Sequence, residues 1–258
     1  IGVGERHIMY NGGIHANEWI TSVLLMKFIE NFCKSYVTNG SIYGKNARSL
    51  FHRVSLYIVP MLNPDTTDLV TGRLSTNSQE YRNYERISRN FPNIPFPNGW
   101  KANYRGVDLN LQFPAGWENA KRIKFEQGYN KPSPRDFVGE GPLTEPESLA
   151  IYNFTLAHNF ALTISYHTQG QEIYWNFQNI NPPNGYEIGQ KFAQVSGYLL
   201  TEVPYNSSFA GFKDWYIQNY NRPGYTIEAG IGENPLPISQ FEQIYSDNGG
   251  ILVYGMSV

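Results

Sequence analysis

Short apolar runs of strand length alternate with longer amphipathic segments along this chain. The segment RHIMYNGG predicts a strand that ends in a glycine turn, and RVSLYIVPMLNP predicts a buried strand that stops at Asn63-Pro64. Two later strands, ALTISYH and PGYTIEAG, each end in an ionisable side chain. Because strands that alternate with helices form parallel βαβ units, we predict an α/β fold with a largely parallel, buried sheet.

The helical segments are less uniform. Apolar residues recur at helical spacing from Asn17 to about Tyr36, and we expect Cys33 to be buried within this helix. In GPLTEPES, Thr144 as N-cap and Glu147 three residues later match a capping box. The segment STNSQEYRNYERISRNFPNIPFPNGW is polar and rich in asparagine and proline, so we predict a long surface excursion there.

Composition and charge narrow the function classes. The 258 residues suit a single α/β domain covering 1–258, and the hydrophobic fraction of 41% is enough to form a large core. A net charge of -2 gives no positive field for a nucleic acid, and no apolar run is long enough to span a bilayer. We therefore expect no nucleic-acid partner and no membrane-spanning segment. The chain starts as if inside a strand pair, so we expect further segments upstream.

Ionisable side chains at the predicted strand exits are the first functional signal. His15, His167 and Glu228 each stand at such an exit, where open α/β sheets bind their ligands. His15 and Glu18 are spaced i, i+3, so both can reach one cation. An imidazole and a carboxylate suit zinc, and a catalytic zinc needs a third protein ligand.

The third ligand can be sought among the other histidines. These are His7, His52, His158 and His167. Only His167 lies at a strand exit among polar residues, in SYHTQGQ, and its distance in sequence from His15 is typical of a catalytic site. An isolated H-x-x-E is common by chance, and a simple surface pair is the alternative. A glycosidase using Glu18 and Glu228 would leave both histidines unexplained, and a serine hydrolase would need a G-x-S-x-G elbow.

Six ordered motifs extend this pattern: GGIHANEW, NPDTTD, KANYRGVDLNLQFP, GPLTEPES, SYHTQG and YTIEAG. In this order they resemble zinc carboxypeptidases of the carboxypeptidase A type, over nearly the whole chain. The resemblance implies one Zn²⁺ held by His15, Glu18 and His167, with Glu228 as the catalytic carboxylate. It also implies a mixed, mostly parallel eight-stranded twisted sheet with helices on both faces.

The resemblance assigns further roles around the metal. Glu228 would be a general base towards water and then a general acid towards the leaving amine. Asp108, in GVDLN, matches the aspartate that accepts a hydrogen bond from the first zinc histidine; a turn-forming or buried structural role is the alternative. Lys101 stands where the digestive enzymes carry an arginine that polarises the substrate carbonyl, unless it is a solvated surface lysine.

Other positions depart from the digestive enzymes. Their carboxylate-binding Asn-Arg pair is replaced by Asn110-Leu111, so bidentate recognition of a C-terminal carboxylate is lost there. In YNSSFAGFKDW, the position of the mobile tyrosine falls on Asn206, with Tyr205 one residue earlier. The pocket floor carries Lys213, a cation that would favour a substrate side chain ending in a carboxylate, or that extends to solvent instead.

The segments WKAN, GVDLNLQFP and SFAGFKDW are similar to those of a bacterial branch, the γ-D-glutamyl-L-diamino acid peptidases. This resemblance implies peptidoglycan stem peptides as substrates, cleaved between γ-D-glutamate and meso-diaminopimelate, and a secreted, cell-wall or spore location. An ordinary metallocarboxypeptidase of acidic or unusual specificity is the first alternative. A cell-wall binding protein that has lost turnover is the second.

Overall fold

A six-stranded sheet forms the centre of the protein, whose computed structural model describes residues 1–258. The strands of the chain are β1 (Arg6–Asn11), β2 (Ser41–Ile42), β3 (Lys45–Asn46), β4 (Val54–Val59), β5 (Phe160–His167), β6 (Glu172–Tyr174), β7 (Leu199–Thr201) and β8 (Gly224–Glu228). The predicted eight-stranded sheet is wrong in its size, because β2 and β3 pair only with each other. These two strands have 2 residues each and form a separate antiparallel pair in the connection between α1 and α2.

The strand directions confirm a mixed, mostly parallel sheet. The order is β4-β1-β5-β8-β6-β7, and β6 runs antiparallel to β8 while the other neighbouring pairs are parallel. The strands β1, β5 and β8 therefore end at the same edge of the sheet. All three predicted functional strand exits lie on that edge.

Helices cover both faces of the sheet, as predicted. They are α1 (Ile20–Val37), α2 (Ala47–Arg53), α3 (Pro64–Val70), α4 (Gln79–Ser88), α5 (Trp117–Glu126), α6 (Pro146–Leu156), α7 (Gly185–Ser196), α8 (Phe212–Tyr220) and α9 (Phe241–Gly255). Alternate residues of β1 point to opposite faces: Ile8 and Tyr10 join a core with α1, α7 and α9, whereas Met9 joins a core with α5, α6 and α8. No helix is both long and apolar enough to cross a membrane.

Element boundaries differ from the sequence prediction in several places. The helix α1 begins at Ile20 because the three residues before Trp19 form a separate 3₁₀ turn, Ala16–Glu18. The strand β4 ends at Val59, four residues before Asn63. Cys33 is exposed, so its predicted burial is wrong, since it lies on the solvent side of α1.

The predicted capping box at Thr144 is also wrong. The helix α6 has Glu145 as its N-cap, without a side-chain hydrogen bond at that cap. The Thr144 amide and hydroxyl instead donate to Oε1 of Gln112, at 2.8 and 3.1 Å. A contact from a distant part of the chain therefore holds this helix start, and sequence spacing alone does not reveal it.

The predicted surface excursion contains a helix and a small core of its own. Ser78 accepts a hydrogen bond from the Tyr81 amide and so caps α4. On the inner side of α4, Tyr84 is buried edge-on against Trp100, with ring centroids 4.9 Å apart. Because Trp100 directly precedes Lys101, this packing fixes the backbone that carries the candidate catalytic lysine.

Asn63 joins three loops around the functional edge. It is buried, and its amide donates to the carbonyls of Ala102 at 3.0 Å and Ile14 at 3.3 Å. The backbone N–H of Asn63 also donates to the Gly13 carbonyl at 2.9 Å. These bonds set the distance between the loop that carries His15 and the loop that carries Lys101.

We predict that Asn63→Ala destabilises the protein because it leaves buried carbonyls without donors. Such a loss costs about 1–3 kcal/mol, which urea denaturation with linear extrapolation would measure. Asn77→Ala is the matched control, because Asn77 is exposed and its side chain makes no hydrogen bond within the protein. Equal midpoints for the two variants would contradict a structural role for Asn63.

Candidate active site

The turn after β1 explains the two glycines that precede His15. Gly13 has φ 61°, in the left-handed region, and a Cβ there would lie 2.7 Å from Oγ of Ser22. Glycine therefore permits the chain to turn tightly above α1 into the 3₁₀ turn. His15 is the N-cap residue of that turn, and Glu18 is its last residue.

Three predicted ligands meet at the ends of β1 and β5. Nδ1 of His15 lies 3.0 Å from Oε1 of Glu18, and Nδ1 of His167 lies 2.9 Å from Oε2 of the same carboxylate. The two Nδ1 atoms are 3.2 Å apart. All three side chains are buried.

This donor set fits a zinc ion. Two imidazole nitrogens face each other and the same carboxylate, and their ligand atoms all lie within 4.8 Å of one another. Ligands about 2.0–2.2 Å from a tetrahedral centre would be about 3.3–3.6 Å apart, and the three separations observed here are a few tenths of an ångström shorter. Nitrogen and oxygen donors of this kind are a usual catalytic zinc set.

Asp108 orients the first histidine. Its Oδ1 accepts a hydrogen bond from Nε2 of His15 at 2.9 Å, which leaves Nδ1 directed at the cluster. The other oxygen, Oδ2, accepts from the Asp136 amide at 3.1 Å. The predicted contact between Asp108 and His15 is therefore present in the structure.

The buried charges of the cluster depend on each other. Burial alone would lower the pKa of His15, but Glu18 and Asp108 raise it to about 9. Burial would raise the pKa of Glu18, yet Lys101 and the two imidazoles hold it well below its usual value. The His15 imidazolium similarly outweighs burial and lowers the pKa of Asp108.

Glu228 and Lys101 stand beside the cluster. Glu228 is the direct strand partner of His167, and its carboxylate makes no hydrogen bond within the protein. Burial raises the pKa of Glu228 to about 7, against the lowering influence of His167. Nζ of Lys101 lies 2.9 Å from Oε1 of Glu18. A proton acceptor and a cation thus both lie next to the three ligands.

The cluster opens into a polar cavity of about 990 Å³. Two predicted substrate residues lie on its wall. Nζ of Lys213 is buried and donates to Oδ1 of Asp214 at 2.6 Å and to the Asn176 carbonyl at 2.5 Å. Oδ1 of Asn110 accepts from the Phe212 amide at 3.0 Å, which leaves the NH₂ group of Asn110 without an acceptor in the protein.

Tyr205 and Asn206 are not brought to the cavity wall. Both are exposed in the 3₁₀ turn Tyr205–Ser207. Tyr205 is 59% exposed, and its ring packs edge-on against Phe209 with centroids 5.1 Å apart. In this conformation neither residue contacts the site.

Two cavity residues carry no motif and were not predicted. Tyr174, at the end of β6, donates its hydroxyl to Oε2 of Glu172 at 2.5 Å. Arg135 lies in a loop between prolines and acidic residues, in KPSPRDF. The antiparallel pairing of β6 with β8 and the loop path place them there, and neither follows from local spacing.

Comparison with known proteins identifies the family of this chain. Residues 2–249 match the zinc carboxypeptidase family, and the chain belongs to that family of zinc peptidases. It is 41% identical over 99% of its length to γ-D-glutamyl-L-diamino acid endopeptidase 1 of Lysinibacillus sphaericus. It is 40% identical over 96% of its length to an uncharacterized protein of Bacillus subtilis (strain 168). The chain spans 62% and 64% of the lengths of these two relatives.

Solved structures show the same fold. Bovine thrombin-activatable fibrinolysis inhibitor matches with a TM-score of 0.70 and 19% identity, covering 99% of this chain and 83% of that one. Murein-tripeptide amidase of Escherichia coli O157 matches with a TM-score of 0.56 and 20% identity, covering 98% and 82%. The chain therefore shares its overall fold with these two proteins.

We predict that zinc uptake near neutral pH releases about one proton from His15, because the metal-free imidazole is protonated below pH 9 and zinc requires a neutral nitrogen. Apparent zinc affinity should therefore rise as the pH increases towards 9. Calorimetry in two buffers of different ionisation enthalpy measures the released protons. Zinc uptake without proton release at neutral pH would contradict this charge state.

Proposed function

We propose that this chain is the catalytic domain of a zinc peptidase that hydrolyses the γ-D-glutamyl–diaminopimelate bond of peptidoglycan stem peptides. The observation that carries the proposal is a buried His₂Glu cluster opening on a cavity lined by charged side chains of both signs, in a chain 41% identical to a relative named for that bond. Such substrates favour a secreted, cell-wall or spore location.

The cavity suits a substrate with several carboxylates. Lys213 uses two of its three N–H donors within the protein, so one remains for a carboxylate on a substrate side chain. Meso-diaminopimelate ends in such a group, and lysine does not. Leu111 offers no charge at the position where the digestive enzymes bind a C-terminal carboxylate, which argues against their specificity.

The reaction needs a base, a carbonyl-polarising group and an acid. Zinc, when bound to His15, Glu18 and His167, is a Lewis acid that increases the acidity of water and polarises the scissile carbonyl. Glu228 takes one proton from the attacking water while the water oxygen forms a bond to the amide carbon. Glu228 then gives that proton to the leaving amine as the C–N bond breaks, so no covalent enzyme intermediate forms.

Lys101 would stabilise the charge that develops on the carbonyl oxygen. Its ammonium lies beside Glu18, and Lys101 lines the cavity into which the metal cluster opens. Burial lowers the pKa of Lys101, but Glu18 outweighs this effect and keeps the pKa above its usual value. Lys101 is therefore a cation at working pH, and it can donate hydrogen bonds throughout the reaction.

We predict that the zinc-loaded protein cleaves muropeptides between D-glutamate and meso-diaminopimelate, and cleaves lysine-containing stems more slowly. Mass spectrometry of a digested muropeptide mixture reports the bond and the diamino acid together. Removal of only a C-terminal residue would indicate a metallocarboxypeptidase instead. An unchanged mixture at full zinc content would identify a binding protein without turnover.

We predict that Glu228→Gln and Lys101→Ala both retain zinc and lose activity. Loss of the general base should lower kcat by about 10²–10⁴-fold, and loss of one oxyanion donor by about 10²–10³-fold. Zinc analysis by mass spectrometry and steady-state kinetics test this. Lys34→Ala is the control, because that side chain is 66% exposed on α1, away from the cavity. Full turnover by either active-site variant would remove the role assigned to it.

A further inference from the structure

Arg135 is a cavity residue to which neither the metal cluster nor the motifs assign a role. It lies in the loop between α5 and α6, and its side chain is 43% exposed. It is the only arginine among the residues that line the cavity. Leu111, where the digestive enzymes carry an arginine, is buried and apolar.

The Arg135 side chain is held on one edge. Its Nε donates to Oδ2 of Asp136 at 2.7 Å, and Oδ1 of Asp136 accepts from Nζ of Lys124 at 2.6 Å. The Asp136 amide in turn donates to Asp108. This chain of contacts links the guanidinium to His15 through Asp136 and Asp108, so its place relative to the metal cluster is defined.

The loop backbone is fixed as well. The carbonyl of Pro134 accepts from the amides of Lys101 at 2.8 Å and Ala102 at 2.9 Å. Arg135 therefore moves with the segment that carries the candidate oxyanion donor. A side chain anchored in this way loses little further conformational freedom when it binds a ligand.

The other edge of the guanidinium is free. Neither Nη1 nor Nη2 donates to any protein acceptor, although both belong to a residue on the cavity wall. The neighbouring carboxylate of Asp108 accepts from His15, Asp136 and Asn110, and it accepts no hydrogen bond from Arg135. Two parallel N–H donors facing a polar cavity match the two oxygens of a carboxylate.

We propose that Arg135 binds a main-chain carboxylate of the substrate and supplies the charge recognition that Leu111 cannot. This inference rests on the proposed function. A γ-glutamyl linkage leaves the α-carboxylate of glutamate free on the acyl side of the scissile bond, and an ordinary peptide has no charge at that place. The main-chain carboxylate of the diamino acid, on the leaving side, has the same chemistry.

The test compares three peptides on zinc-loaded protein. They are L-Ala-γ-D-Glu-meso-diaminopimelate, the same peptide with its glutamate α-carboxylate amidated, and the same peptide with its diaminopimelate main-chain carboxylate amidated. Affinities are measured by calorimetry in the Glu228→Gln background, with and without Arg135→Gln or Arg135→Lys. Arg105→Gln is the matched control, because Arg105 is 63% exposed and lies outside the cavity.

With Arg135 present, one of the amidated peptides should bind about 10- to 100-fold more weakly than the free acid, the range for a charge-assisted pair. Arg135→Gln should abolish that difference, Arg135→Lys should retain part of it, and Arg105→Gln should leave it intact. Arg135→Gln should remove the affinity difference for only one of the two amidated peptides. The carboxylate that is amidated in that peptide, on the acyl side or on the leaving side, is the group that Arg135 binds.

An affinity difference that persists in the Arg135→Gln variant would overturn the proposal. Equal weakening of the binding of all three peptides by Arg135→Gln, or no measurable binding of any peptide, would overturn it as well. Zinc content distinguishes recognition from a structural role, because Arg135→Gln should leave it unchanged. Failure of the wild type to hydrolyse the free acid would refute the proposed function alone. The binding comparison would still decide the role of Arg135.

Discussion

The parallel pairing of β1, β5 and β8 is the constraint on which the site depends. Asn11, the last residue of β1, pairs with Ser165, and its side-chain amide donates to Oγ of Ser165 at 3.0 Å. Two residues further along β5, His167 pairs with Glu228. Because a slip of one residue would turn every side chain to the opposite face, this register decides whether His167 and Glu228 can act on one substrate.

The second constraint is electrostatic. Glu18 and Asp108 are buried carboxylates, and such groups are costly unless cations and hydrogen bonds compensate them. In the metal-free protein the His15 imidazolium and the Lys101 ammonium provide this compensation. Zinc, when bound, would take the place of the proton on His15, because a ligating imidazole must be neutral.

The parts of the site that sequence predicts are those that local chemistry defines. A glycine turn, the i, i+3 spacing of His15 and Glu18, and ionisable residues at strand ends lead to the metal cluster, and family resemblance adds Asp108. Thr144 shows the limit, because Gln112 engages the atoms that a local cap would have used. Tyr205 and Arg135 show the same limit of sequence-based prediction. The path of a loop leaves Tyr205 outside the cavity and places Arg135 on the cavity wall.

Lys213, at the predicted floor of the specificity pocket, is part of an ion pair, and this affects which substrate side chains it can bind. Lys213 is buried, and the carboxylate of Asp214 lies 2.6 Å from its ammonium. Oδ2 of Asp214 also accepts from the Gly211 amide at 3.1 Å, which fixes the carboxylate at the start of α8.

An incoming carboxylate must therefore share Lys213 with Asp214. A substrate side chain that carries an ammonium beside its carboxylate, as meso-diaminopimelate does, offers a partner to both residues, whereas the ammonium of lysine would face Lys213 as a like charge. For the proposed substrate, discrimination would therefore depend on the ion pair between Lys213 and Asp214 and on the neighbours that hold it in place.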